Sequence, residues 1–195
     1  SGLVLWLDAE DLNADGIADN LPEDTKIFNW ADLSGDDRNF TQSDPNKAPT
    51  VKLVGNRQAL HFAVAANVEN DTNATVNTVF FALNVPAGLN EMEASLFSRQ
   101  GSEKYGLWKK YPSSPYFSWD HSVFSSGSYI RTNGANLNGL LLFDQPSVVS
   151  AIRSTTHTYP DGINIGWDWE GLFHEVIFYD RILSEVERVA VEDYL

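Results

Sequence analysis

The sequence predicts an all-β fold: a two-sheet antiparallel jelly-roll sandwich with a short C-terminal helix. Three observations carry this. Short apolar or aromatic segments recur along the chain between turn clusters such as Asp15-Gly16, Ser34-Gly35-Asp36, Asp44-Pro45-Asn46, Asn133-Gly134 and Asp161-Gly162. Helical periodicity is confined to the last dozen residues. A length of 195 residues with 43% apolar content is enough for one core. Residues 1–195 therefore read as a single β-sandwich, a ligand-binding module of a larger protein.

The expected strands, in order, are Val4–Leu7, Ile27–Trp30, Ala59–Ala63, Thr78–Leu83, Ala94–Arg99, Gly106–Lys110, Tyr116–Trp119, Ser128–Thr132, Leu140–Phe143, Ser147–Arg153, Gly162–Ile165 and Leu172–Tyr179. Leu172–Tyr179 is apolar on both faces apart from His174 and Glu175, as suits a strand with neighbours on both sides. The Asn-rich stretch Asn67–Asn77 reads as an exposed loop. The helix spans Ser184–Leu195. Ser184 is a good N-cap, Glu187 completes a capping box, and Val186, Val189, Ala190 and Tyr194 recur at helical spacing, which predicts the packed face.

Charge and composition exclude several partners. With 27 acidic and 13 basic residues the formal charge is −14, which repels nucleic-acid phosphates and anionic membranes. There is no cysteine, so disulfides, thiolate metal sites and thiol nucleophiles are absent. No run is long and apolar enough to span a bilayer, so membrane insertion is not expected.

The sharpest motif is Asp11-Leu12-Asn13-Ala14-Asp15-Gly16-Ile17-Ala18-Asp19. Oxygen-bearing side chains at alternate positions can converge on one cation. Gly16 makes the sharp turn, Ile17 can offer its carbonyl and Asp19 closes the loop. An all-oxygen set points to calcium. An EF-hand loop needs a bidentate glutamate where this chain has Pro22, and the candidates for the missing ligand are Asp8, Glu10, Glu23 and Asp24. Seven of the 27 acids lie between Asp8 and Asp24. Whether the ion is structural or touches ligand stays open.

The segments Gly2-Leu3-Val4-Leu5-Trp6-Leu7-Asp8-Ala9, Trp30-Ala31-Asp32-Leu33-Ser34-Gly35 and Asn56-Arg57-Gln58-Ala59-Leu60-His61-Phe62 resemble the start of bacterial concanavalin-A-like, laminin-G-like jelly-roll domains. Gly171–Ser184, running into Glu187-Arg188 and Tyr194-Leu195, is similar to their end. The resemblance covers roughly the first 65 and the last 35 residues, and its motifs are signatures of fold. It implies a secreted or surface-anchored bacterial protein. The acidity and the loop also resemble ligand-binding domains of large RTX-type adhesins, some binding glycans and others peptides.

Residues 105–133 hold eight aromatics in 29 positions, about twice the chain average. Aromatic faces stack on sugars or on peptide side chains. Candidate ligand contacts here are Trp108, Lys110, Tyr111, Tyr116 and Trp119. A second candidate group is Asp161 with Trp167, the latter sharing one side of an extended segment with Trp169. No E-x-D-x-x-E or E-x-D-x-E, no H-E-x-x-H and no G-x-S-x-G occur, and Glu91 and Glu93, which have the right parity, lie in a turn bounded by Asn, Pro and Gly. The expected function is therefore a calcium-dependent, non-catalytic, monomeric recognition module of an extracellular or surface-bound bacterial adhesin. Its partner is a glycan or peptide on another cell surface. The alternative is a carbohydrate-binding or catalytic domain of a secreted polysaccharide-degrading enzyme.

Overall fold

The computed structural model describes residues 2–86, 94–100, 106–109, 118–119, 129–136, 140 and 142–195, with the side chains at 94, 108, 109, 118 and 119 excepted. Its strands are β1 (Leu3–Asp8), β2 (Asn29–Trp30), β3 (Phe40–Thr41), β4 (Thr50–Val54), β5 (Arg57–Phe62), β6 (Val68–Asn70), β7 (Ala74–Asn84), β8 (Ala94–Arg99), β9 (Leu107–Lys109), β10 (Ser118–Trp119), β11 (Tyr129–Thr132), β12 (Pro146–Tyr159), β13 (Ile163–Ile165) and β14 (Gly171–Tyr179). One helix, α1 (Glu185–Tyr194), follows.

The strands form two antiparallel sheets. The first has the order β11-β12-β7-β14-β5-β4, with β1 also on β14, and the second the order β10-β9-β8-β13-β6-β3-β2. β14 serves two partners along one edge. Its first residues, Gly171 to Phe173, pair with β5, and its later residues, Glu175 to Tyr179, pair with β1. The sheets meet through alternate inward side chains. Phe97 of the second sheet lies 5.9 Å from Phe81 and 4.9 Å from Phe178 of the first, centroid to centroid. Trp30, Phe40, Phe62 and Trp169 complete the same fully buried cluster.

The outer face of the first sheet is partly covered by α1. Phe80, Ile177 and Leu183 form a second small cluster there, packed against Leu3, Trp6, Tyr179, Val191 and Leu195. This explains why β7 and β14 are buried on both faces. The capping box at Ser184 and Glu187 is present as predicted. The packed face differs from the predicted one. Val186 is 80% exposed and Arg188 is buried, while Tyr194, as predicted, packs its ring edge-on against Trp6 of β1, 6.2 Å between centroids. Arg188 turns inward because Glu185 and Glu192 flank it on the helix and satisfy its guanidinium.

Other departures have local causes. Asn67–Asn77 is not an exposed loop: it supplies β6 and the start of β7, and Asn67, Asn70 and Asn77 are buried. Hydrogen bonding makes this tolerable for the first two. Gln42 Nε2 donates to Asn67 Oδ1 (2.8 Å), and Asn70 Nδ2 donates to the Asn39 carbonyl (3.0 Å). The segment 140–143 forms no strand among its described residues, and Phe143 makes only an isolated parallel bridge to Val85. Ile27–Trp30 shortens to the two residues of β2, and β3, β4 and β6 were not expected. Asp32, within the segment shared with jelly-roll domains, is a buried corner post. Its carboxylate accepts the backbone N–H groups of Trp6 (3.0 Å), Ser34 (2.9 Å) and Arg38 (3.0 Å).

Candidate functional site

The site residues stand on the outer face of the second sheet. Val68, Ile165 and Phe97 pair across β6, β13 and β8 and point into the core. Side chains alternate along a strand, so the next positions, Glu69, Asn164 and Ser98, share the opposite face. Thr41 extends this row onto β3.

Beside that row lies an open cleft of about 480 Å³ lined by Lys47, Ala65, Asn67, Glu69, Gln100, Trp167 and Asp168. Its polar groups are held in place. Asn67 Nδ2 and Gln100 Nε2 donate to the two oxygens of Glu69, at 2.9 and 3.0 Å. Gln100 also reaches Asp71 (2.8 Å). Trp167 is half-buried at the cleft, with its carbonyl accepting the Ser95 N–H (2.9 Å). Ser98 and Asn164 are fully buried, and Ser98 Oγ and both amide atoms of Asn164 have no hydrogen-bond partner.

Trp167 and Trp169 do not share a side. Gly166 and Asp168 have positive φ (84° and 50°), and the Trp169 N–H bonds to the Gly166 carbonyl (3.1 Å), so the segment is a turn. The turn sends Trp169 into the core, stacked 5.7 Å from Phe173, and leaves Trp167 at the cleft. Asp161 is exposed and engaged by Arg99. Trp108 pairs with Ser118 and Trp119 with Leu107 in the β9–β10 ladder. Lys110, Tyr111 and Tyr116 lie outside the described residues.

The acidic loop is a separate feature. Asp11 is buried, and its oxygens accept the N–H groups of Asp15 (3.1 Å) and Gly16 (2.8 Å). Asn13 Oδ1 accepts the Asp15 N–H (3.0 Å), and Asp15 Oδ1 accepts the Ile17 N–H (2.9 Å). Asp19 Oδ2 takes the Leu12 N–H at 2.6 Å, and the Asp19 N–H returns to the Glu10 carbonyl. Ala14 and Gly16 supply the left-handed turns this needs, with φ of 58° and 83°. Gln58, buried on β5, fastens both ends: its amide donates to the Ala9 carbonyl and its oxygen accepts the Leu21 N–H.

In kind these residues fit a hard cation. Asp11, Asn13 and Asp15 are oxygen donors at alternate positions, and each oxygen keeps lone pairs beyond the N–H it accepts. Among the described residues, no group of three or more His, Asp or Glu side chains is arranged to hold a metal ion. Of the further candidates, Glu23 instead takes the Leu53 N–H (3.2 Å), and Asp24 pairs with Lys52 (2.7 Å). Asp8 accepts the Glu10 N–H (2.8 Å), and burial holds its carboxyl above the usual aspartate range.

The sequence reading found Trp167 and missed Lys47, Asn67, Glu69, Gln100 and Asn164 as one group. They come from four separated segments. The usable signal was alternation: Asn164 between Ile163 and Ile165 had to face away from the core. Comparison with protein-family models, curated proteins and solved structures gave no match to this chain.

Proposed function

We propose that the chain is a non-catalytic recognition module of an extracellular bacterial surface protein, taking a glycan or peptide ligand in the cleft beside Trp167. The observation that carries this is the cleft itself: about 480 Å³, with an indole at its edge and fixed amide and carboxylate groups around it. An apolar ring beside oriented polar groups is the usual composition of a small-ligand site. Both oxygens of Glu69 are occupied by amide donors. That suits a fixed hydrogen-bond acceptor better than a proton donor working on a bond.

Calcium belongs to this reading as a structural ion held by Asp11, Asn13, Asp15, the Ile17 carbonyl and Asp19. When bound, it would neutralise charge in the loop and brace it against the sheet. No residue of the loop lines the cleft, which favours this role over direct contact with ligand.

Two measurements test the proposal. Glycan and peptide arrays probed with the wild-type chain and with Trp167→Ala should show a ligand whose signal is lost in the variant; no ligand, or one indifferent to Trp167, overturns the cleft. Thermal melts in calcium and in excess chelator should differ by several degrees, and Asp15→Ala should abolish that difference. Identical melts overturn the calcium role.

A further inference from the structure

We infer that the ligand of the Trp167 cleft is a protein segment that places one arginine side chain in it, its guanidinium between Glu69 and Asp168 and its flat face on the indole. This rests on the recognition reading and goes further in naming the ligand group and the carboxylates that select it.

The residues that would touch it all line the cleft and are reachable: Glu69, Trp167 and Asp168 are half-buried, and Lys47 is exposed. Charge there is out of balance. Glu69 is held by the neutral amides of Asn67 and Gln100, which orient its carboxylate and leave its charge in place. The Gln100 amide nitrogen donates to Asp71 as well, so two carboxylates converge on one uncharged group. Elsewhere the chain pairs its acids, as Asp24 with Lys52 and Asp161 with Arg99. Glu69, Asp71 and Asp168 meet no cation among the described residues.

The indole is equally unspent. Trp6 and Trp30 donate their indole N–H groups inside the fold, to Glu175 and to the Asp8 carbonyl. Trp167 makes no such bond and meets no other ring among the described residues.

One ligand group answers both features. A guanidinium carries positive charge, offers five donors in a plane that matches a carboxylate, and stacks on an aromatic face. Each Glu69 oxygen keeps a lone pair beyond the amide hydrogen it accepts. A metal ion suits the place poorly, because Gln100 aims N–H groups at both Glu69 and Asp71. An anionic ligand is repelled, and a neutral one leaves the charge uncompensated. At about 480 Å³ the cleft has room for a long side chain and the residues beside it.

Lys47 limits what flanks the arginine. It lines the same cleft and has no ion-pair partner among the described residues. It repels a second basic residue and attracts an acidic one. The site therefore selects an isolated arginine with an acidic neighbour over a basic run.

The test measures binding of four labelled peptides, on one Gly/Ser background at physiological salt, to wild type, Trp167→Ala and Asp168→Asn. The peptides carry a single arginine, a citrulline in its place, an arginine beside a glutamate, or a run of arginines. A neutral glycan array is probed in parallel. Asparagine tolerates the positive φ of position 168 (50°), so Asp168→Asn should melt with wild type. The expected result is binding of the single-arginine peptide, weakened at least tenfold by citrulline and by each substitution. The arginine–glutamate peptide should bind at least as tightly, although it is neutral overall. Affinity that simply rises with peptide charge reports non-specific attraction to an acidic chain and overturns the proposal. Citrulline equal to arginine, or binding unchanged in Asp168→Asn, overturns it too. A glycan bound through Trp167, with no arginine peptide bound, overturns the arginine and leaves the recognition reading standing. No binding of any peptide or glycan overturns both.

Discussion

Asp8 on β1 and Glu175 on β14 are direct cross-strand partners, placing two carboxyl groups side by side on one ladder. Glu175 is almost fully buried; its Oε2 accepts the Trp6 indole N–H (3.1 Å), and Arg57 approaches Oε1 at 3.6 Å. Burial raises both carboxyls, and for Glu175 the Asp8 charge adds to the rise. A raised acid binds its proton more tightly folded than unfolded. Its contribution is complete below the unfolded value and is lost as pH climbs through the folded one. Glu175→Gln keeps an acceptor for Trp6 and removes the titration. The variant should gain stability over wild type as pH rises from about 4 to 7, read as a widening difference in melting temperature. A constant difference across that range contradicts the assignment.

Gln58 joins the two ends of the acidic loop by a side-chain amide buried between them. Gln58→Leu leaves the Ala9 carbonyl and the Leu21 N–H without that partner. The expected loss is about 2–3 kcal/mol, from two buried hydrogen bonds. Denaturant unfolding measures it. Limited proteolysis should show cutting within 12–20 in the variant before any other site.

Ser184 caps α1 and is tied to Glu187 in both directions. Ser184→Ala should cost about 1 kcal/mol. Glu187 is lowered to about 2, first by its bond to Arg181 and then by Ser184. A lowered acid stabilises above its unfolded value and is lost as pH falls through the folded one. The stability difference between wild type and Glu187→Gln should therefore shrink as pH drops from about 5 towards 2. Parallel pH profiles for the two proteins would exclude this.

Gly162 is the tightest accessible test of the β13 approach. Its φ is +94°, and a Cβ placed there would lie 1.7 Å from the Asn70 carbonyl oxygen. Gly162→Ala must both strain its backbone and push β6 away. The cost should be about 3 kcal/mol or more. Gly16→Ala is the contrast, since its φ is also positive but nothing lies within 4 Å of its Cβ position, so only the strain remains. Melting temperatures of the pair compare the two.

The architecture was legible because its determinants are local. Short apolar segments between turn clusters placed β1, β8, β13 and β14. Ser184 followed by Glu187 placed the helix start, and Asp15-Gly16 placed a loop whose turns come from its own side chains. What such segments could not supply was the partner across a strand. The Asn67–Asn77 stretch reads as solvated because it is polar, yet Gln42 and Asn39 bond to it and allow β6 to be buried. Arg188 occupies the inward helix face because Glu185 and Glu192 accompany it, which a hydrophobic pattern does not weigh.

The same division applies to the site. The sequence by itself determined a charge of −14, an oxygen-rich loop and an all-β chain ending in a capped helix. Only the tertiary structure decided that Trp167 leaves the core while Trp169 enters it, because two positive-φ residues bend the segment between β13 and β14. It alone brought Lys47, Glu69, Gln100 and Asp168 to one cleft, and Asn164 beside it. The reason is physical: propensity and pattern act over a few residues, whereas a cleft is set by strand register, which joins residues about a hundred positions apart.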